Sequence, residues 1–144
     1  MNTVPPDAVV APGRSSDAVA PLIRGVALLL WSVSLERPEL VVTPFVLAQA
    51  NAALECDVEL FFTATSIRLL QKQEQSTLVG YGPKRQTLGD ILEQTRAAGA
   101  QFHACSQAMQ QLGLQRGDLV PCEIGGVLQF SARLTDPHWH ALVV

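Results

Sequence analysis

The chain has 144 residues, 48% of them hydrophobic and 16% charged, with a formal net charge of −3 at pH 7. That is globular composition, with enough apolar material for one compact domain whose core needs no cross-links. The charge has the wrong sign for neutralising nucleic-acid phosphates or for docking on an anionic membrane.

Residues 1 to about 22 are rich in Pro, Ala, Ser and Asp and keep no period. They read as a disordered tail, and residues 23–144 as a single α/β domain. The stretch "GVALLLWSVSL", Gly25 to Leu35, is the longest strongly apolar run and is too short to span a bilayer. It is preceded by a long segment carrying Asp7 and Asp17 and followed by "ERPEL", which is unlike a signal peptide. It reads as a buried strand, over 26–33, of a cytoplasmic protein.

In "TPFVLAQANAALE", Thr43 suits a helix N-cap and Pro44 the first helical position. "VELFFT" (58–63) predicts a second strand and "TSIRLLQKQ" a turn or two of helix. The pattern lapses into a loop from Glu74 to Gln86. "TLGDILEQTRAAG" restores a helix, with Thr87 and Asp90 as a capping-box variant and Gly99 as its stop. "AQFHAC" (100–105) predicts a third strand, followed by helical "SQAMQQLG". "GDLV" leads into "EIGGVLQFSARL", read as another helix, and "HALVV" closes the chain as the last strand. Alternating strands and helices predict a mostly parallel sheet of four to five strands with helices on both faces.

Three cysteines, Cys56, Cys105 and Cys122, make an odd number without a CxxC, so no disulfide framework is expected. Cys105 falls where a strand ends and a helix begins, the place where parallel sheets gather their chemistry. Backbone amides of "SQAMQQLG" would favour a thiolate there and lower its pKa. The plainer reading is a small core residue, because free cysteine is among the most buried types. His103, two residues earlier, shares Cys105's strand face and could bind a metal or help set the thiol's pKa; the plainer reading is a buried, hydrogen-bonded core histidine. Cys122 reads as a residue near a helix start that could resolve a persulfide or disulfide on Cys105, or as a loop residue without a partner. Cys56 belongs at the opposite sheet edge.

Other features carry less. The spacings of "HWH" (138–140) fit no standard zinc site, and no metal is expected. "GYGPK" lacks phosphate-loop spacing, and Ser66 and Ser106 lack a hydrolase context. Asp90, Glu93 and Arg96 read as a solvated helix face.

Phe61-Phe62-Thr63, the run Gly99 through Cys105, Met109, Gly113-Leu114 and Gly125-Gly126-Val127 occur in an order that resembles the DsrE/DsrF-like family of small sulfur-transfer proteins. The resemblance covers roughly residues 25–144. It implies a three-layer α/β/α sandwich, often assembled as trimers or hexamers. It also implies that Cys105 matches the position that carries a persulfide between sulfur donor and acceptor proteins in sulfur-carrying members. No organic cofactor is required for such a relay. The alternatives are an oligomeric binding or regulatory module with an inert Cys105, and a thiol redox sensor pairing Cys105 with Cys122.

Overall fold

A computed structural model describes residues 22–144; the segment read as a tail lies, except for Leu22, outside the described residues. Strand β1 (Gly25–Leu30) leads to helix α1 (Pro38–Ala53) and strand β2 (Asp57–Phe62). Two 3₁₀ segments, Ala64–Leu70 and Lys72–Glu74, precede a small antiparallel pair, β3 (Leu78–Val79) and β4 (Gln86–Thr87). Helix α2 (Leu88–Ala97), strand β5 (Gln101–Cys105) and helix α3 (Ser106–Gln111) follow. After a 3₁₀ turn at Arg116–Asp118 come strand β6 (Glu123–Gly125), helix α4 (Val127–Leu134) and strand β7 (Trp139–Val143).

The main sheet has five strands in the order β6-β5-β2-β1-β7, and every pairing in it is parallel. The steps β1→β2→β5→β6 all run in one direction. Right-handed crossovers therefore put α1, α2 and α3 on the same face. The step β6→β7 runs back across the sheet and puts α4 on the other. The result is the expected α/β/α sandwich. Its larger core lies under α1 and α2, around Leu28, Leu30, Phe45, Leu60, Phe62, Ile91 and Leu92. The smaller core lies under α4, where Ala27, Phe61 and Phe130 meet.

Three expectations are corrected. Helix α1 begins at Pro38, with Arg37 as its N-cap, so Thr43 is not a cap and Pro44 lies inside the helix. Pro38 already supplies the favoured first-turn proline. The presumed loop 74–86 contains the β3–β4 pair, and Gly80 and Gly82 take positive φ values of 92° and 73° between its strands. "EIG" is not helical but an edge strand, and α4 starts only at Val127. The other predicted terminus is met: the Thr87 side chain accepts the Asp90 N–H at 3.1 Å, and Gly99 turns the chain at φ 107°.

Candidate functional site

Strands β5 and β6 are neighbours, yet the connection leaving β5 goes to the α3 face and the one leaving β6 goes to the α4 face. Adjacent exits that part in this way open a crevice at the C-terminal edge of the sheet. Cys105 ends β5 in that crevice, beside Gly125 of β6. A small void there is lined by Leu29, Phe61, Phe62, Thr63, His103, Cys105, Gly126 and Val127. Its volume is about 10 Å³, room for roughly one water-sized sphere.

Cys105 is 7% exposed. It occupies the N-cap position of α3, but its side chain makes no capping hydrogen bond, and α3 is only six residues long. The expected cradle of backbone amides around the sulfur is therefore absent. The buried, unpartnered polar group that shares the void with Cys105 is instead the His103 imidazole.

His103 is 8% exposed and stacks on Phe61, with ring centroids 4.5 Å apart and planes 11° from parallel. The stack follows from register, since Phe61 and His103 are direct neighbours across β2 and β5. Both imidazole nitrogens are buried and neither has a hydrogen-bond partner among the described protein groups. Nε2 faces Glu59 Oε2 at 3.9 Å, too far for a hydrogen bond. Burial pushes the His103 pKa down; Glu59 and Glu123 oppose that shift, and Arg133 adds to it. The ring is therefore neutral at pH 7. The sequence allowed a hydrogen-bonded core histidine, and the structure shows an unsatisfied one.

Sequence reading missed Glu59 and Arg133. Glu59 sits on the α4-facing side of β2, two residues before Phe61, with its carboxylate buried. Arg133 on α4 meets it with two hydrogen bonds: Nη2 donates to Oε1 at 2.7 Å and Nε to Oε2 at 3.1 Å. That pairing raises the Arg133 pKa. The guanidinium also lies 4.1 Å over the Trp139 ring. The one signal in the sequence was an acidic residue inside an otherwise apolar strand, which needs a partner once buried.

Cys122 immediately precedes β6, and β6 runs parallel to β5 with His103 opposite Glu123 and Cys105 opposite Gly125. It thus enters the sheet at the N-terminal edge, not at a helix start beside Cys105. Three residues of strand, roughly 10 Å, separate the two levels. Burial pushes the Cys122 thiol pKa up, partly offset by Arg116 and Arg96. Cys56 also lies at the N-terminal edge, just ahead of β2. Arg96 does more than face solvent: Nη2 donates to the Pro121 carbonyl at 2.7 Å, and the guanidinium covers Phe102 at 4.9 Å. His138 Nδ1 lies 3.0 Å from the Leu22 carbonyl. Among the described residues, no three His, Cys, Asp or Glu side chains converge as a metal site, and no helix is long and apolar enough to cross a membrane.

A parallel α/β/α sandwich with a cysteine at its switch point defines a class of small cysteine-bearing α/β domains. Within that class the chain belongs to the DsrE/DsrF-like family, whose model matches residues 29–140. Solved structures that share its fold include the following two. A protein of unknown function, MTH1491 from Methanobacterium thermoautotrophicum, is 17% identical with a TM-score of 0.61, over 85% of this chain and 99% of that one. The ychN protein from E. coli is 16% identical with a TM-score of 0.65, over 83% of this chain and 99% of that one. Comparison with curated proteins finds no match.

Proposed function

We propose that this protein relays sulfane sulfur, with Cys105 as the carrier. The observation that carries this reading is the placement of Cys105. It ends a central strand of a DsrE/DsrF-like fold and lines a void shared with an imidazole that lacks any partner. In the transfer, Cys105 Sγ bonds to the terminal sulfur of a donor persulfide while the donor's S–S bond breaks. The proton leaves the Cys105 thiol and is returned to the departing donor thiolate. No net oxidation occurs, and an acceptor thiol unloads Cys105 by the same exchange.

Donor and acceptor proteins need a surface near the site. Trp31, Val127 and Val143, which follow or close the C-terminal ends of β1, β6 and β7, are all exposed. They give the C-terminal edge an apolar rim suited to protein contact. The same rim would serve the homo-oligomer, trimer or hexamer, that the family resemblance implies.

The test is intact-mass measurement of reduced protein after incubation with a low-molecular-weight thiol persulfide. Wild type should gain one sulfur, and Cys105→Ser should gain none. A wild type that gains nothing, or a Cys105→Ser chain that still loads, overturns the proposal. The first of these results favours the module with an inert cysteine.

A further inference from the structure

The void beside Cys105 is small and mostly apolar, and His103 and Thr63 share its lining. An imidazole with both nitrogens buried and unpartnered forfeits hydrogen bonds that water would supply. A buried polar side chain without a protein partner, aimed into a site, marks that site as one built to meet a further group. The space available holds about one water-sized sphere, so a single sulfur atom, which is larger, fills it. The Cα atoms of His103 and Cys105, two residues apart on one strand, lie roughly 7 Å from each other. A sulfur added to Cys105 would extend its side chain by about 2.05 Å, into the space between them.

We propose that the void is a receptacle for a single sulfane sulfur on Cys105, and that a His103 ring N–H donates a hydrogen bond to that sulfur. This rests on the reading of Cys105 as the carrier and adds the identity and size limit of the cargo. Cys105 holds a persulfide, not a polysulfide chain, because a second sulfur would run into Leu29, Phe61 or Val127. His103 takes over the task that the α3 amides do not perform. Persulfides ionise readily, so the outer sulfur accepts a charge-assisted hydrogen bond, which a neutral thiol receives only weakly. The loaded state is favoured accordingly. Glu59, already paired with Arg133, comes no closer to the ring than 3.9 Å and takes no hydrogen bond from it.

The experiment titrates reduced protein with inorganic polysulfide and counts sulfurs per Cys105 by intact mass and peptide mapping. Wild type should stop at one added sulfur even in excess reagent. His103→Phe keeps the aromatic stack on Phe61 but has no donor. Its ratio of loaded to free Cys105, at a fixed ratio of polysulfide to sulfide, should fall roughly tenfold, the worth of one charge-assisted hydrogen bond. His103→Gln, which restores an N–H, should recover much of the loss. A ladder of two or more sulfurs on wild-type Cys105 overturns the inference, and so does a His103→Phe chain that loads as well as wild type. Either result leaves Cys105 a carrier. Absence of any adduct on wild type overturns the carrier reading and this inference with it. The wild-type count involves no substitution, so it decides even where His103→Phe does not fold.

Discussion

Arg133 grips Glu59 with two hydrogen bonds, at 2.7 and 3.1 Å, pinning helix α4 to the middle of the sheet. The carboxylate is buried and the guanidinium is about a third exposed. Removing the arginine leaves a buried charge without compensation. Arg133→Met should therefore cost about 2–4 kcal/mol, somewhat less than the roughly 3–5 kcal/mol of a fully buried broken pair, because Arg133 still reaches solvent. Adding Glu59→Gln should recover more than half of that loss, since the stranded charge is then gone. Urea midpoints of the two single variants and the double variant measure the coupling. Simple additivity would show that the pair contributes nothing as a pair.

Gly25 and Trp139 are register neighbours, and the indole lies over the glycine's backbone. A Cβ on Gly25 would stand 2.5 Å from the Trp139 ring. Arg133 also packs on Trp139, so a shift of the indole would disturb the Glu59 pair. Gly25→Ala should destabilise the fold by about 1–3 kcal/mol, the usual cost of overpacking. It should also shift tryptophan emission. An unchanged urea midpoint would mean that the indole moves aside freely.

Much of this architecture was legible in the sequence because several elements are long or strongly marked. β1 is a continuous apolar run, β2 and β5 are mostly apolar and short, and Thr87 with Asp90 at the start and Gly99 at the end bracket α2. The misses have physical reasons. β6 is three residues with two acidic or glycine positions around Ile124, too short to show any period. Thr43-Pro44 imitates a helix start that Pro38 had already made. At the site, Cys105 and His103 announce themselves as neighbours on one strand. Glu59 and Arg133 are 74 residues apart, and nothing local says that they meet. The lack of amide donors at Cys105 was also invisible, because it depends on how the strand hands over to α3.

Cys105 and Cys122 should not form an intramolecular disulfide. The two lie at levels of the sheet about 10 Å apart, whereas a disulfide needs Cα atoms within about 7 Å. Mild oxidation with diamide, followed by intact mass under non-reducing conditions, should show no loss of two protons within one chain. Detection of a Cys105–Cys122 peptide at low protein concentration would restore the redox-sensor reading.

Stability should also carry a signature of His103. Its folded-state pKa is pushed below the ordinary 6.5, chiefly by burial, against the pull of Glu59 on β2 and Glu123 on β6 and with the help of Arg133 on α4. The unfolded chain therefore binds a proton that the folded chain refuses over that interval. The stabilisation is complete above pH 6.5 and is lost as pH falls toward the lowered folded value. One such group sets a slope of at most about 1.4 kcal/mol per pH unit. Urea midpoints measured between pH 8 and pH 5, about the ordinary histidine range, should decline for wild type below neutrality. In His103→Phe the decline should be shallower, since only the other titrating groups remain. Arg133→Met should move the His103 transition to higher pH, because Glu59 is then unopposed beside the ring. Histidine proton shifts read that change directly, and a transition that stays in place would mean that Glu59 does not act on the imidazole across the 3.9 Å gap.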